Sequence, residues 1–384
     1  MVYRQEHQVT HERPKRCEKR AVTRWVFAVL FLCASVPAIA CPLCLGAFRS
    51  SVAQQLVSVQ HAVLAQPDTR GYRIVAVIKG ERPASMVIAA DSIQTDVVMD
   101  QHATLLLVRD NDWSMWVGIG AVSVAHAGWL RQIATGKSLL DMSADEWRAR
   151  VKLIFPYLES PEPLVAEIAY GELAVAPYSA LLAAKPHLVA PAIRRWIADP
   201  RLAARQPLYL LMLGIAGDSS DAAALEQRLG ALWSAGDATN LGPMIAADLQ
   251  LRGPSRVAWL DAKYMGDRLR STRELDGALL ALSVLGNAND AIPRERVIES
   301  YRLFIQEHQK LAGFVAQDLM SWRYWGAVPL YLALLKSNVR QHFASRVAIF
   351  TYLRQSPAGN LIDLSGSGTR AADQSTNAEP VSPR

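Results

Sequence analysis

Cysteine is scarce in this chain, and none follows position 44. Only four cysteines occur in 384 residues: Cys17 and Cys33 lie within the first forty residues, and Cys41 and Cys44 follow directly after them. A disulfide scaffold needs cysteines spread along the chain, and a structural zinc site needs four ligands. The sequence therefore argues against both a long-range disulfide framework and a zinc finger.

Motifs that carry catalysis or cofactor binding are also missing. A metal site on one helix requires an H-E-x-x-H or H-x-x-x-H spacing, and the histidines after position 40 show neither. No phosphate-binding loop occurs, and Gly118-Ile119-Gly120 lacks the third glycine of a dinucleotide loop. We therefore predict no catalytic residue, no cofactor and no metal site beyond the weak candidates Cys41 and Cys44. The carboxylate of Glu172 is predicted to hydrogen-bond a neighbouring helix or its loop.

Excess positive charge is nearly absent outside the N-terminus. The net charge is +6, but residues 1–40 hold seven Lys/Arg against three Glu. Four of the six charges therefore belong to that segment, and the remainder of the chain has a net charge of +2. Because nucleic-acid binding depends on a basic surface, we expect a protein partner and no nucleic acid.

The basic N-terminal segment has the pattern of an export signal. It precedes the apolar run VFAVLFLCASVPAIA, whose end Ala38-Ile39-Ala40 offers the small residues that signal peptidase accepts. We predict that residues 1–40 are a signal peptide, that cleavage follows Ala40, and that the protein is periplasmic or secreted. The alternatives are an uncleaved membrane anchor over 21–40 and lipidation of Cys41.

Cys41 and Cys44 form a Cys-Pro-Leu-Cys pair at the predicted mature N-terminus. In an oxidising compartment such a pair can close on itself as a local disulfide. Thiols in the first turn of a helix also suit redox chemistry or the binding of copper or zinc, although two thiols leave a metal site incomplete. A local disulfide is the first prediction, a redox or metal role the second, and lipidation the third.

Residues 41–130 are predicted to form a small β domain. Apolar residues over 45–59 recur at helical spacing and predict an N-terminal helix that starts at Pro42. Five short β-branched and aromatic runs follow over 61–124, separated by turn residues. Because no helical pattern lies between these runs to make parallel crossovers, we expect a five-stranded closed or half-closed barrel.

Residues 131–355 have the pattern of helices with a weak internal repeat. Ser143 and Glu146 form a capping box, and Ser160 followed by Pro161 predicts another helix start. Apolar helices recur roughly every 34 to 37 residues, as in a HEAT-like α-solenoid; a compact irregular bundle is the alternative. Their centres lie near Leu211, Ile245, Leu280, Val315 and Ile349, and Gly217, Gly253 and Gly286 are predicted to end the first three.

Two further features lie toward the C-terminus. Trp322, Arg323, Tyr324 and Trp325 cannot all face one core, and exposed Trp, Tyr and Arg are typical of interaction hot spots. They are therefore a candidate interaction patch, with packing between repeats as the alternative. Residues 356–384 are rich in Ser, Gly and Pro and are predicted to be a disordered tail.

Several short motifs occur in order along the chain. After the signal peptide and Cys-Pro-x-Cys come V-x-V-I-K-G, AYGELAVAPY at 169–178, RRWIADP at 194–200 and LYLLMLG at 208–214. This order resembles a family of exported bacterial proteins with no established activity. The likeness covers most of residues 41–350 and implies a β domain followed by a HEAT-like helical region.

A second likeness concerns the β region alone. The runs HAVLAQ, YRIVAVIKGE and ATLLLV, with Lys79-Gly80 at a strand end and Cys41 at the start, are similar to netrin-like modules. These OB-type barrels include the tissue inhibitors of metalloproteases. The inhibitors tie their N-terminal cysteines to distant ones, which this chain lacks, so protease inhibition is not implied.

Together these features predict an α+β multidomain protein. A small five-stranded OB/netrin-like β barrel over 41–130 is followed by an α-helical HEAT-like solenoid over 131–355. We expect an exported cell-envelope protein that acts as a non-enzymatic interaction or scaffold protein, since solenoids present extended surfaces and no reaction centre is visible. The alternative is a thiol-redox or metal-handling protein, for copper or zinc, that acts through Cys41 and Cys44.

Overall fold

The computed structural model describes residues 51–95, 103–111, 114–138, 141–357 and 359. The predicted signal peptide, its cleavage site at Ala40, the cysteines Cys41 and Cys44 and nearly all of the predicted tail lie outside these residues. In the described part the protein is α+β, with one six-stranded sheet followed by a long succession of helices. The predicted fold class is confirmed at that level.

The described chain begins with a short helix, α1, over Val52–Ser58. Ser51 is its N-cap and accepts a hydrogen bond from the backbone N–H of Gln54 at 3.2 Å. The prediction of a continuous helix from Pro42 is wrong, because Ser51 is extended, with ψ of 152°, and breaks the helical path. Helix α1 therefore starts ten residues after the predicted position.

Lys79 ties α1 to the sheet. Its Nζ donates hydrogen bonds to the carbonyl oxygens of Leu56, at 3.1 Å, and of Val57 at the end of α1. A cation at this end of a helix satisfies free carbonyls and complements the helix dipole. Gly80 follows with φ of +85°, and a Cβ there would lie 2.6 Å from the carbonyl oxygen of Gln60. Lys79 and Gly80 thus have a structural role where the C-terminal end of α1 contacts the sheet.

The six strands of the described chain form one sheet, antiparallel except at one edge. The sequence pattern predicted five of them and missed β4, because two residues are too short to show a period of two. In chain order they are β1 His61–Asp68, β2 Gly71–Lys79, β3 Val87–Ala89, β4 Ile93–Gln94, β5 Leu105–Arg109 and β6 Trp116–Ala121. Their order in the sheet is β3-β2-β1-β5-β6-β4, and β4 pairs parallel to β6.

The sheet is nearly closed, and its connectivity shows why. β3 and β4 are its two opposite edges, yet only the turn Ala90–Ser92 separates them in the chain. That connection can span about 14 Å at most, whereas six strands laid flat would spread over about 24 Å. The sheet must therefore curl until its edges lie close together.

Both faces of β1 and β5 are buried, but in different cores. Successive side chains of a strand point to opposite faces, so Leu105 and Leu107 lie inside the nearly closed sheet while Leu106 and Val108 join the core of the helices. The sheet and the helices are thus connected by continuous apolar packing. The buried residues of the barrel interior are Val63, Ala65, Ile74, Ile88, Leu105, Leu107 and Trp116.

The helices after the sheet are short and joined by tight turns. The capping box of Ser143 and Glu146 is confirmed, whereas the start predicted at Pro161 is wrong, because the helix begins at Pro163 with Glu162 as N-cap. A π-helical turn, Asp261–Met265, follows α10. The helices are α2 Ala127–Ala134, α3 Ala144–Ile154, α4 Pro163–Val175, α5 Tyr178–Ala183, α6 Ala190–Ala198, α7 Gln206–Ala216, α8 Ser219–Ala235, α9 Leu241–Arg252, α10 Val257–Leu260, α11 Thr272–Ala288, α12 Arg294–Glu307, α13 Ala316–Ser321, α14 Val328–Lys336 and α15 Phe343–Gln355.

Contacts between these helices recur at a nearly constant sequence separation. α9 packs against both α7 and α11. Contacting residues of α7 and α9 have nearly the same sequence separation at both ends of the contact, so these two helices run parallel. Each later element therefore lies beside the one about 35 residues before it. The pairs, 32 to 35 residues apart, are Gln206–Asn240, Gly214–Ala247, Gly242–Gly277, Ser283–Asp318, Asn287–Trp322 and Gly313–Ser345.

Candidate functional site

A groove of about 830 Å³ opens near the C-terminal end of the helical region. It is lined by Arg268 and Arg270 before α11, by the first turn of α11, by 306–311 at the end of α12 and by the loop 339–342. Its volume falls within the range of ligand-binding pockets. Because each wall comes from a different turn between helices, only the folded chain brings these residues together.

Four Lys and Arg residues of the described chain line the groove, and carboxylates neutralise two of them. Arg268 forms an ion pair with Glu307 at 2.6 Å. Arg270 lies 2.9 Å from Asp267 and 3.0 Å from Glu274, and Glu274 is buried. These pairs hold the turn before α11 against α12 and α11.

Lys310 and Arg340 are the other two cations of the groove. Both are exposed, and within the described ranges neither has a carboxylate partner. Among the described residues that line the groove, Glu307 is the one carboxylate, and it is already paired with Arg268. The groove therefore has excess positive charge that is available to an anionic ligand.

The inner wall of the groove includes His308, which is buried. Its ring stacks on Phe304, with centroids 5.0 Å apart, and its Nε2 lies 3.2 Å from the carbonyl oxygen of Tyr264. Burial lowers the pKa of His308 below its ordinary value of 6.5, since desolvation disfavours the charged form. A neutral ring fits this position, because its N–H can donate to the Tyr264 carbonyl.

The π-helical turn lies behind this wall. Tyr264 within it is fully buried, and desolvation, with the nearby Glu274 carboxylate, raises the pKa of its hydroxyl to about 12. Lys263, one residue earlier, points its Nζ at the ring of Trp233, 3.9 Å from the centroid. π-Helical turns are rare and are often found at functional sites.

Three apolar side chains stand exposed near the groove. Leu269 lies between the lining residues Arg268 and Arg270 and is 89% exposed, and Phe343 follows the lining residue His342 and is 81% exposed. Phe314 meets the His342 ring edge-on at 6.4 Å and is also exposed. Exposed apolar groups next to a polar cleft are typical of interaction surfaces.

The loop that carries Arg340 is held in place by hydrogen bonds. The backbone N–H of His342 donates to the carbonyl oxygen of Lys310 at 2.9 Å, and Gln341 Nε2 donates to the carbonyl oxygen of Leu334 at 3.3 Å. Lys310 and Arg340 therefore belong to two chain segments that are hydrogen-bonded to each other and line one groove. Such an arrangement of ammonium and guanidinium groups suits the binding of carboxylates or phosphates.

The predicted patch over 322–325 is largely packed into the helical region. Trp322 stacks on Tyr301, with centroids 5.7 Å apart, and Trp325 lies 5.2 Å from Tyr352. Trp322, Tyr324 and Trp325 are partly buried against the main core, and Arg323 alone of the four is exposed, with φ of 54°. The interaction role of this patch stays a prediction.

A buried ion pair lies next to the N-terminal end of α1. Arg150 Nε in α3 donates to Glu172 Oε2 in α4 at 2.6 Å, and both side chains are buried, at 7% and 1% exposure. The hydroxyl of Ser51, the N-cap of α1, lies 3.5 Å from Glu172 Oε1. The prediction that Glu172 contacts a neighbouring helix is therefore confirmed, and the pair holds α1, α3 and α4 together.

No residue of the groove was singled out from the sequence. The available signal was modest: basic or amide residues cluster in three separate inter-helix turns, RLR at 268–270, EHQK at 307–310 and RQH at 340–342. A helical repeat predicts that successive turns lie on one edge of the molecule. Combining the repeat with the composition of its turns would have indicated this surface.

Comparison with protein-family models, with curated proteins and with solved structures found no match. The resemblances stated from the sequence therefore stay predictions. In the part of the chain that the structure describes, no group of three or more His, Cys, Asp or Glu side chains is placed to hold a metal ion. No helix within the same residues is long and apolar enough to cross a membrane.

Proposed function

We propose that this chain is an exported, non-enzymatic interaction protein of the cell envelope, and that its binding surface is the basic groove. The observation that carries this proposal is the pair of exposed cations, Lys310 and Arg340, that face one groove without carboxylate partners in the described residues. Cations that line one groove without counter-charges repel each other, and an anionic partner relieves that repulsion. The partner in this proposal is a protein.

The architecture that presents the groove is proposed to be an OB-like barrel joined to a HEAT-like solenoid. The closeness of the edge strands β3 and β4 in the chain supports the barrel. The helix contacts that recur at 32 to 35 residues support the solenoid, in which each repeat packs on the next. In a solenoid the turns between helices line up along one edge, where they form an extended binding surface.

The N-terminal part of the proposal concerns export and the cysteine pair. We expect the mature protein to begin at Cys41, with Cys41 and Cys44 joined as a local disulfide. Intact-mass measurement of the envelope protein, before and after reduction, tests this directly. A mass that corresponds to 41–384 and gains two hydrogens on reduction is expected. A mass that still includes the N-terminal segment would contradict the predicted cleavage, and an added lipid would contradict a protein free of the membrane. Bound copper or zinc would favour the metal-handling alternative.

The groove itself is tested by photo-crosslinking in intact bacterial cells. A photoreactive phenylalanine analogue at Gln309, which is exposed in the groove, is expected to yield discrete protein adducts. The same analogue at Gln227, an exposed position on α8, provides the matched control. Reversal of both groove charges, Lys310→Glu with Arg340→Glu, should abolish the adducts, whereas the equal charge change in Lys152→Glu with Arg354→Glu should not.

Two results would contradict an interaction role for the groove. One is the same set of adducts from Gln227 as from Gln309, which would indicate non-specific collision. The other is a set of Gln309 adducts that survives the double charge reversal. All variants are compared by thermal melting, so that loss of adducts is not attributed to loss of folding.

A further inference from the structure

We infer that the occupant of the basic groove is an extended acidic segment of a partner protein, in which apolar side chains alternate with carboxylates. This inference rests on the proposed function and gives the chemical class of the partner. Three properties of the groove support it: the position of its free cations, its free side-chain amides and its exposed apolar rim.

The two exposed cations of the groove are available to negative charge. Lys310 follows the end of α12, and Arg340 belongs to the loop after α14, so two different chain segments bring a cation to the groove. Arg268 and Arg270 line the same groove, but carboxylates already neutralise their charges. A chain with several acidic residues offers a carboxylate to each of the two cations, whereas an anion with a single carboxylate offers one to both.

The amides match a peptide backbone. Gln306 and Gln309 line the groove, are exposed, and have no hydrogen-bond partner among the described residues. A carboxamide offers both a donor and an acceptor, as the peptide group does in its N–H and C=O. A lipid phosphate only accepts hydrogen bonds, so it would offer no donor to the side-chain oxygens of these glutamines. The amides therefore favour a peptide.

The apolar rim provides contacts for the other side chains of the segment. Leu269 and Phe343 each adjoin residues that line the groove, and both are more than four-fifths exposed. Side chains of an extended peptide alternate in direction, so one set can meet the cations in the groove while the other packs on the rim. An acidic membrane surface would also meet a basic and apolar rim, but a flat bilayer does not enter a concave groove.

The test is fluorescence anisotropy with defined peptides on the full-length mature protein. The probe is a labelled peptide in which glutamate alternates with leucine; comparison peptides replace each glutamate by lysine, or each leucine by serine. We expect binding of the first peptide alone, and weaker binding as ionic strength rises. Lys310→Glu with Arg340→Glu should raise the Kd about tenfold or more, whereas Lys152→Glu with Arg354→Glu should leave it unchanged.

The rim has its own pair of variants. Phe343→Ser should raise the Kd several-fold, since it removes an apolar contact of the bound peptide. Val189→Ser removes another exposed apolar side chain, 59% exposed and outside the groove lining, and should leave the Kd unchanged. Both substitutions are at exposed positions, so neither is expected to disturb folding.

The outcomes separate this inference from the proposed function. Equal binding of the glutamate–serine peptide, insensitive to Phe343→Ser, would overturn the alternating pattern while an anion-binding groove survives. Sedimentation with phosphatidylglycerol vesicles, lost on double charge reversal, without binding of any peptide would overturn the peptide in favour of a membrane surface. Failure of all acidic probes to bind would overturn both the inference and the role of the groove.

Discussion

Glu172→Gln is expected to lower the free energy of unfolding by about 3–5 kcal/mol, measured by urea denaturation. The substitution leaves the Arg150 guanidinium buried without its counter-charge, at the point where α1, α3 and α4 meet. An uncompensated buried charge loses its hydration and gains nothing in return. The effect is large because Arg150 is 7% exposed and cannot turn to solvent without displacing its neighbours.

A matched control comes from an exposed pair on the same helix. Arg148 and Asp145 also form an ion pair, but both side chains are largely in water. Asp145→Asn should therefore change the free energy of unfolding by less than about 1 kcal/mol. If Glu172→Gln had an equally small effect, the pair would not be the buried junction described above.

A second variant distinguishes the loss of charge from the loss of packing. Arg150→Met combined with Glu172→Leu removes both charges and keeps apolar volume in the site. Replacing a whole buried ion pair by apolar residues is often neutral or stabilising, so the double variant should recover most of the stability that Glu172→Gln loses. A double variant as unstable as Glu172→Gln would mean that volume, not charge, governs this site.

Gly313→Ala is expected to destabilise the C-terminal helices by about 3 kcal/mol, at the upper end for an overpacked core position. An added Cβ would lie 2.0 Å from the carbonyl oxygen of Ser345 and 2.6 Å from its carbonyl carbon. Because the clash is with backbone, no side-chain rotation relieves it. The bond from the Gly313 N–H to Ser345 Oγ, 2.8 Å long, would stretch as the two segments separate.

Gly230→Ala is the matched control for this prediction. Gly230 lies on the exposed face of α8, and a Cβ there meets nothing within 4 Å. Since alanine is the better helix former, this variant should gain about 0.5–1 kcal/mol. Gly214→Ala, whose Cβ would lie 2.6 Å from Ala247 Cα, should behave like Gly313→Ala. Equal stability of Gly230→Ala and Gly313→Ala in urea would refute close packing between Gly313 and Ser345.

Local sequence signals predicted helix and strand identity well and helix boundaries less well. The capping box of Ser143 and Glu146 is present as expected, because its two hydrogen bonds need only neighbouring residues. Gly217 and Gly253 end their helices as predicted. Gly286 does not: its helix continues to Ala288, and Asn289 takes the left-handed conformation with φ of 49°.

The reason for Gly286 lies in tertiary packing. A Cβ at this position would lie 2.7 Å from the ring of Trp322, so the glycine makes room for that indole. Gly286 and Trp322 lie 36 residues apart in the sequence, and nothing in the sequence indicated that they are in contact. The same contact accounts for the partial burial of Trp322 in the predicted interaction patch.

The α+β class, the change from strands to helices after 124 and the spacing at which helices recur could all be predicted from the amino-acid sequence. These follow from periodicity and capping, which act over a few residues. Tertiary structure alone decided the curl of the sheet, the buried partner of Glu172 and the basic groove. Each joins residues from distant parts of the chain, as when the loop 339–342 brings Arg340 to the groove that Lys310 also lines. Local patterns do not determine such contacts, because packing between the helices sets the distance between side chains of separate turns.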